Sequence, residues 1–62
     1  MNNRLLTYAE VLELTGIRAR STIFEKVQQG NFPAPLKISN RFVRFRESEI
    51  LAWIDSLPRQ YY

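Results

Sequence analysis

The fold of this chain is decided by residues 20–30, which read RSTIFEKVQQG. The apolar side chains Ile23, Phe24 and Val27 lie three and four residues apart, the spacing that places side chains on one face of a helix. The other positions of the stretch are polar or charged. We therefore expect a helix over residues 21–29 that packs on a small core through its apolar face and exposes the opposite face.

The two ends of this helix have local signals. Thr22 is followed three residues later by Glu25, the spacing of a capping box, and Ser21 is the alternative N-cap. Gly30 follows the last turn and can adopt the left-handed conformation that ends a helix without steric cost. These signals predict a helix of about two turns.

A second short helix precedes this one. Thr7 and Glu10 have the spacing of another capping box, and Gly16 is placed to end the helix. The expected helix covers residues 8–15. Its expected buried residues are Tyr8, Val11 and Leu12, with Leu14 as a further candidate.

The two helices are joined by residues 16–20, a short segment that begins with glycine. Two short helices with such a connection form a helix-turn-helix. The alternative interpretation is a helical hairpin that buries its own apolar faces and binds nothing.

A β-hairpin is predicted after the second helix. Pro33 and Pro35 each disfavour the helical conformation at the residue before them. Beyond them, residues 36–38 and 42–45 alternate between apolar and polar side chains, and a polar, turn-forming triplet separates the two segments. A hairpin that directly follows a helix-turn-helix has the placement of a wing.

The alternation also predicts the two faces of this hairpin. The residues expected to face the core are Leu36, Ile38, Val43 and Phe45. Those expected to face solvent are Lys37, Phe42 and Arg44. Asn40 at the tip is expected to adopt a positive φ, because asparagine tolerates the left-handed region.

The clearest helical stripe lies near the end of the chain. Within residues 46–57, apolar side chains recur at i, i+3, i+4 and i+7, namely at Ile50, Trp53, Ile54 and Leu57. Pro58 ends this helix by disfavouring the helical conformation at the preceding residue. Trp53 is expected in the core, because a domain this small needs its largest side chain buried. Base stacking is the alternative role for this side chain.

Together these elements predict an α+β fold, a small winged helix-turn-helix with a two-stranded β-hairpin wing and a C-terminal helix. A chain of 62 residues is too short for a second core. We therefore expect a single domain over residues 1–62, with a polar lead-in over residues 1–4. The tail Tyr61-Tyr62 has three open roles, which are packing, stacking and self-association.

Composition excludes several classes of site. The chain has no cysteine and no histidine, which removes disulfides, thiolate nucleophiles and the usual zinc ligands together. We expect no metal, no cofactor and no small-molecule ligand. No apolar run approaches the roughly 20 residues that cross a bilayer, and no secretory signal is present. We therefore expect a cytoplasmic protein without membrane contact.

Charge is unevenly distributed along the chain. The net charge is +3, but residues 18–46 contain seven basic residues against Glu25 alone, a net charge of +6. The segments before and after this centre carry −1 and −2. A basic centre is typical of a surface that binds a polyanion, and a solvated basic surface without a partner is the alternative.

Six short motifs follow one another in order. They are EVL at 10–12, TG at 15–16, RSTIF at 20–24, GNFPAPLKI at 30–38, VRFRESEI at 43–50 and AWI at 52–54. The ordered set resembles the AlpA family of prophage regulators, small winged-helix proteins related to the excisionases and to the DNA-binding domains of MerR-type regulators. The resemblance covers about residues 5–57, nearly the whole chain.

Several positions depart from the family pattern. Phe24 stands where tyrosine is more frequent, and Phe45 replaces the usual tryptophan. The turn before the second helix is one residue longer. Glu25 stands where a basic residue is usual. Its carboxylate either completes the Thr22 capping box, which is the interpretation we favour, or accepts a hydrogen bond from a cytosine amino group.

The resemblance and the basic centre together indicate a sequence-specific DNA-binding protein that regulates prophage transcription. The helix over residues 21–29 is expected in the major groove. The wing over residues 36–45 is expected on the adjacent minor groove and backbone. The residues expected to contact DNA are Arg18, Arg20, Ser21, Thr22, Lys26, Gln29, Lys37, Asn40, Arg41 and Arg44.

The expected partner is double-stranded DNA, which implies a nucleoid-associated protein. Further copies of the chain are expected beside it, because so small a module buries little surface on DNA. The resemblance also implies an alternative, an excisionase-type factor that bends DNA for an integrase. An alternative of another class is a protein-interaction module that antagonises a host regulator, with FPAP at residues 32–35 as its docking segment. An enzyme is not expected, because solvation accounts for the acidic residues on the helix surfaces.

Overall fold

The computed structural model describes residues 4–61 and contains three helices and one antiparallel sheet. The predicted winged helix-turn-helix is confirmed, with a third strand added to the two of the hairpin. The lead-in residues 1–3 and Tyr62 lie outside the described residues. The elements are β1 (Leu5–Leu6), α1 (Tyr8–Thr15), α2 (Arg20–Gln28), β2 (Leu36–Ser39), β3 (Phe42–Arg46) and α3 (Glu47–Asp55).

Helix α1 has the bounds that its end signals predict. The Thr7 hydroxyl accepts a hydrogen bond from the Glu10 N–H at 3.2 Å, and the Glu10 carboxylate accepts one from the Thr7 N–H at 2.9 Å. This reciprocal capping box satisfies two of the N–H groups that a helix start leaves without partners. At the other end, Gly16 has φ 77° and donates its N–H to the Leu12 carbonyl at 2.9 Å. Both ends of α1 are therefore closed by neighbours in sequence.

Helix α2 starts earlier than predicted, and its predicted cap is wrong. Ala19 is the N-cap, with an extended backbone at φ −124° and ψ 137°, and no side chain caps the helix. Because the Ala19 carbonyl already accepts the Thr22 N–H at 3.1 Å, Ser21 and Thr22 lie inside the first turn instead of before it. The capping box between Thr22 and Glu25 is consequently not formed.

The end of α2 agrees with its prediction. Gly30 has φ 77° and donates its N–H to the Val27 carbonyl at 3.0 Å, while the Asn31 N–H bonds to the Lys26 carbonyl at 2.8 Å. These two hydrogen bonds form a Schellman motif, which satisfies carbonyls of the last turn. The chain leaves the helix toward the segment that carries Phe32.

The core joins residues from every helix and from two of the strands. It consists of Leu6, Val11, Ile23, Phe32, Phe45 and Ile50, all buried. The Phe45 ring makes edge contacts with the rings of Tyr8 and Phe32, at centroid distances of 5.1 and 5.9 Å. Phe32 in turn contacts Trp53 at 4.6 Å. A chain of edge-to-face aromatic contacts therefore connects α1, β3 and α3.

Trp53 packs against the core, as predicted, but remains half-buried at its edge. Its indole N–H donates to the Asn31 carbonyl at 2.6 Å. This hydrogen bond satisfies the polar end of the ring and attaches α3 to the segment that follows α2. Burial of Phe32, only 6% exposed, also means that the FPAP segment is anchored in the core by its first residue.

Three apolar positions of the predicted helical patterns are exposed instead of buried. Phe24 is 55% exposed, because only Ile23 and Val27 of the predicted apolar face lie against the core. Leu14 is 44% exposed and lines an open groove beside Leu6. Leu57 is 46% exposed, because α3 ends at Asp55 and the helical stripe does not continue to this position.

Strand β1 is absent from the sequence predictions. Leu5 and Leu6 pair antiparallel with Arg46 and Phe45, so β3 is the central strand and the order is β1-β3-β2. A two-residue strand has no detectable periodicity, and its existence depends on a partner forty residues away. Arg46, predicted in the last helix, is the last residue of β3 and the N-cap of α3.

The hairpin is confirmed, but its faces differ from the prediction. Leu36 pairs with Arg44 and Lys37 pairs with Val43, and directly opposed residues share a face of the sheet. Leu36 therefore lies on the face of Arg44, opposite to buried Phe45 and half-buried Val43. Ile38, also predicted to face the core, is 56% exposed.

A register shift between Lys37 and Ser39 accounts for part of this difference, because a bulge changes which side chains share a face. The tip also differs from the prediction. Within residues 4–61 only two glycines have a positive φ, so Asn40 does not adopt one. A turn with positive φ gives a hairpin the twist that its strands need. A bulge also increases the local twist of the strands, so the tip does not need a positive φ at Asn40.

Within the described part of the chain, no helix is long and apolar enough to cross a membrane.

Candidate nucleic-acid interface

The ten residues predicted to contact DNA form two groups. One group lies on α2 and the turns that flank it, and the other lies on the wing, defined here as β2, β3 and their connection. The first group is Arg18, Arg20, Ser21, Thr22, Lys26 and Gln29. The second is Lys37, Asn40, Arg41 and Arg44. Eight of the ten are exposed, and Lys26 and Arg44 are half-buried.

Helical geometry determines which residues of α2 point away from the core. Successive residues of a helix are rotated by about 100°, and Ile23 is fully buried. Ser21, Glu25 and Gln28 therefore lie at about 140° to 200° from Ile23, on the outward side of the helix. All three are exposed, and they form what we call the outward face of α2.

The basic residues of α2 lie closer to the core than this outward face. The Arg20 guanidinium lies 5.3 Å from the centroid of the Tyr8 ring, a cation–π contact that connects the first turn of α2 with α1. Lys26 lies in the last turn, where a positive charge suits the helix dipole. The two cations therefore flank the outward face instead of occupying it.

Three of the predicted contact residues are exposed at and near the tip of the wing, namely Lys37, Asn40 and Arg41. Arg44 behaves differently. Its guanidinium lies 4.1 Å from the centroid of the Phe42 ring, and one of its N–H groups donates to the Val43 carbonyl at 2.8 Å. These contacts hold the Arg44 side chain against the sheet.

The ion pairs among the described residues lie outside the basic segment 18–46. Arg4 forms ion pairs with Glu10 at 2.6 Å and with Glu47 at 3.4 Å. Among residues 4–61, by contrast, no basic residue of the segment 18–46 makes an ion pair. The basic centre found in the sequence is therefore a set of cations without carboxylate partners.

Glu10 illustrates the opposite situation. The hydrogen bond from the Thr7 backbone N–H has the largest effect and holds the pKa of the Glu10 carboxyl below its ordinary value of 4.5. Burial opposes it, and the Thr7 hydroxyl and the Arg4 guanidinium lower the pKa further. The Glu10 carboxylate is already paired with neighbouring groups, and these contacts stabilise α1.

Two exposed side chains of this region were missed in the sequence. Gln28 belongs to the outward face of α2, and counting helical rotation from Ile23 would have identified it. Phe24, 55% exposed on α2, was assigned to the buried face by its apolar character, whereas the exposure of Phe42 on the wing, 48%, agrees with the prediction from alternation. Their position beside the predicted contact residues depends on the packing of the elements.

The matching protein-family model gives the identity of the family. That model, described as prophage CP4-57 regulatory protein (AlpA), matches residues 4–59. The chain belongs to the AlpA family of phage regulatory proteins. The match spans all three helices and the wing, so the family assignment covers the whole helix-turn-helix and not one motif.

A curated relative is also similar to this AlpA-family chain. It is the uncharacterized protein ORF88 of Enterobacteria phage P4, which is 37% identical over 51 residues. The aligned part is 82% of this chain and 57% of the relative, so the chain spans just over half the length of that protein. No solved structure matches the chain.

Proposed function

We propose that this AlpA-family chain binds specific sites on double-stranded DNA and thereby regulates prophage transcription. The observation that carries the proposal is the basic segment 18–46, whose cations make no ion pair within residues 4–61. All seven belong to α2, its preceding turn and the wing, and five of them are exposed. Cations without carboxylate partners are available to replace the counterions of a phosphate backbone.

Helix α2 enters the major groove in this proposal. In helix-turn-helix proteins the second helix lies in that groove, with its N-terminal residues near the base edges. Arg20, Ser21 and Thr22 occupy the first turn of α2 and are exposed. Lys26 and Gln29 at the other end of the helix, and Arg18 before it, contact the backbone.

The wing contacts the neighbouring minor groove and backbone. Arg41 lies at the connection of β2 and β3 and is exposed. Arginine is favoured in narrow minor grooves because their potential is strongly negative. Lys37 and Asn40 bind phosphates near the tip. Arg44, held by Phe42 and the Val43 carbonyl, presents its charge to the backbone from a fixed position.

The protein acts by occupying DNA and not by catalysis. A single module of this size buries little DNA surface, so we expect two or more copies on neighbouring sites. Excisionase-type action beside an integrase would use the same surface. The two functions differ in where the protein binds, at a promoter or at an attachment site.

The test is a binding titration at several salt concentrations followed by footprinting on the DNA of the element that encodes the chain. About six phosphate contacts predict a slope of roughly −5 for log affinity against log salt. Absence of binding at low salt, or binding that is indifferent to salt, would contradict the proposal. A footprint over a promoter supports a transcriptional regulator, and a footprint over an attachment site supports the excisionase-type role.

A further inference from the structure

Glu25 is an exposed carboxylate whose side chain has no polar partner within residues 4–61. It is the only acidic residue of the basic segment 18–46, and its side chain is exposed. Its expected role was to complete a cap with Thr22, but α2 starts at Arg20 without a side-chain cap. Within residues 4–61, Glu25 makes no hydrogen bond through its side chain and no ion pair. Nothing in the fold explains a negative charge at this position.

Its position on the helix is well defined. Glu25 lies about 200° around α2 from the buried Ile23, and Gln28 lies at about 140°. The two residues are three apart, so their side chains are neighbours on the outward face. Ser21, the third residue of that face, is small. The outward face of α2 therefore presents a carboxylate beside an amide, and its cations Arg20 and Lys26 are at the flanks.

This arrangement has a definite preference among base edges. A carboxylate near phosphates is repelled, and the repulsion is offset where it accepts a hydrogen bond from a base amino group. In the major groove cytosine presents its N4 amino group as a donor, adenine presents its N6 amino group beside the N7 acceptor, which repels a carboxylate, and guanine presents two acceptors. A glutamine side chain can bond to both N6 and N7 of adenine. Guanine needs arginine or lysine, which the outward face lacks.

We infer that Glu25 is a specificity-determining residue that accepts a hydrogen bond from the N4 amino group of a cytosine in the major groove, beside an adenine bound by Gln28. This inference rests on the proposed DNA binding and names the bases that α2 reads. Glu25 acts in two ways. It accepts a hydrogen bond from cytosine, and it weakens binding most where guanine or thymine stands instead, because its charge then faces only acceptor atoms.

The experiment is selection of preferred sites from a randomised double-stranded DNA library, with the wild-type chain and two variants. Glu25→Gln removes the charge from the outward face. Glu13→Gln is the matched control, because Glu13 is an exposed carboxylate on α1 and its substitution changes the net charge equally. Affinities for the selected site, and for the same site with the cytosine pair replaced, are then measured by titration.

The wild-type chain is expected to require cytosine at one position and to lose about 10-fold or more in affinity when that pair is replaced. Glu25→Gln is expected to lose that requirement alone, to keep the preferences at other positions, and to bind random DNA more tightly. Glu13→Gln is expected to keep the wild-type preferences. Thermal melting shows whether both variants fold, which we expect because both side chains are exposed.

Three results would overturn the inference. One is a wild-type site without any cytosine requirement. Another is an unchanged preference in Glu25→Gln, and the third is an equal change in both variants, which would reveal a general charge effect. In each of these cases salt-dependent DNA binding by the wild-type chain would leave the proposed function intact. If the wild-type chain binds no DNA at low salt, the proposed function fails and the inference fails with it.

Discussion

Helices α1 and α2 have almost the same length and similar ends, but their starts differ. Each is followed by a glycine with φ 77°. At its start, α1 has a reciprocal capping box of Thr7 and Glu10, and Glu10 is also paired with Arg4. The N-cap of α2 is Ala19, which provides no side-chain cap, and the side chains of Ser21, Thr22 and Glu25 are exposed.

This difference separates polar residues that stabilise the fold from polar residues that are available to a partner. Capping and pairing lower the free energy of the folded chain but occupy the groups that take part. At the start of α1, Thr7 and Glu10 are capped and paired in this way. No side chain caps the start of α2. The helix proposed to enter DNA is therefore also the less securely capped one.

The largest effect is expected from removing the core on which both helices rest. Phe45 is 1% exposed and contacts the rings of Tyr8 and Phe32. We expect Phe45→Ala to destabilise the domain by about 3–5 kcal/mol, comparable with the roughly 3–9 kcal/mol total for a chain of this size. Urea unfolding followed by tryptophan fluorescence measures the change.

The matched control is Phe42→Ala, three residues earlier in the same strand and 48% exposed. We expect it to change the free energy of unfolding by less than about 1 kcal/mol. Equal destabilisation by the two substitutions would contradict the assignment of Phe45, and not Phe42, to the core.

The next effect concerns the partner-facing side. We expect Arg41→Ala to weaken DNA binding by about 1–3 kcal/mol with an unchanged melting temperature, because Arg41 is exposed and makes no ion pair within residues 4–61. Fluorescence anisotropy and thermal melting measure the two quantities. Arg59→Ala, which removes the same charge outside the wing, should bind nearly as the wild type does. Wild-type affinity in Arg41→Ala would remove the wing from the proposed interface.

A smaller effect is expected from opening the start of α1. Thr7→Ala removes the hydroxyl that accepts the Glu10 N–H and should cost about 1 kcal/mol of stability. DNA affinity of the folded protein should not change, since Thr7 is outside the proposed interface. Chemical denaturation and a binding titration on the same sample test this pair of expectations. If Thr7→Ala bound DNA more weakly under conditions where it is fully folded, α1 would belong to the interface.

Adding the missing cap to α2 should have the opposite sign. Ala19 has the extended backbone of an N-cap residue, so Ala19→Ser should stabilise the domain by up to about 1 kcal/mol. Thermal melting measures the gain. Ala9→Ser, an exposed alanine inside α1, is the control and should give no gain. An unchanged melting temperature in Ala19→Ser would mean that the start of α2 is restricted by something other than its missing cap.

The smallest effect is the pH dependence that Glu10 contributes. Its pKa is held below 4.5 in the folded chain, mainly by the Thr7 N–H. The folded state therefore binds a proton on Glu10 less readily than the unfolded state does. The stabilisation that the Glu10 charge contributes is present above pH 4.5 and is lost as the pH falls through the lower pKa of the folded state. We expect the difference in melting temperature between wild type and Glu10→Gln to narrow between about pH 6 and about pH 3. A difference that stays constant over this range would show that the Glu10 charge contributes nothing.

Much of the candidate site was predictable from single residues and their spacing. The basic centre, the two helices of the helix-turn-helix and the wing follow from charge counts, end signals and alternation. The direction in which each side chain points was harder to predict from the sequence. Phe24 and Gln28 lie on the same helix, but only the burial of Ile23 shows that both are exposed. The predicted cap between Thr22 and Glu25 is not formed, because the N-cap of α2 is Ala19 instead of Thr22.

The sequence by itself determined the features that neighbouring residues decide. The bounds of α1, its capping box and the glycine ends of both helices depend on contacts within five positions, so local chemistry is sufficient. The tertiary structure decided what depends on distant partners. Strand β1 exists because Leu6 pairs with Phe45, and the face of Leu36 depends on its register with Arg44. Pairing across the chain selects among local alternatives that periodicity cannot distinguish.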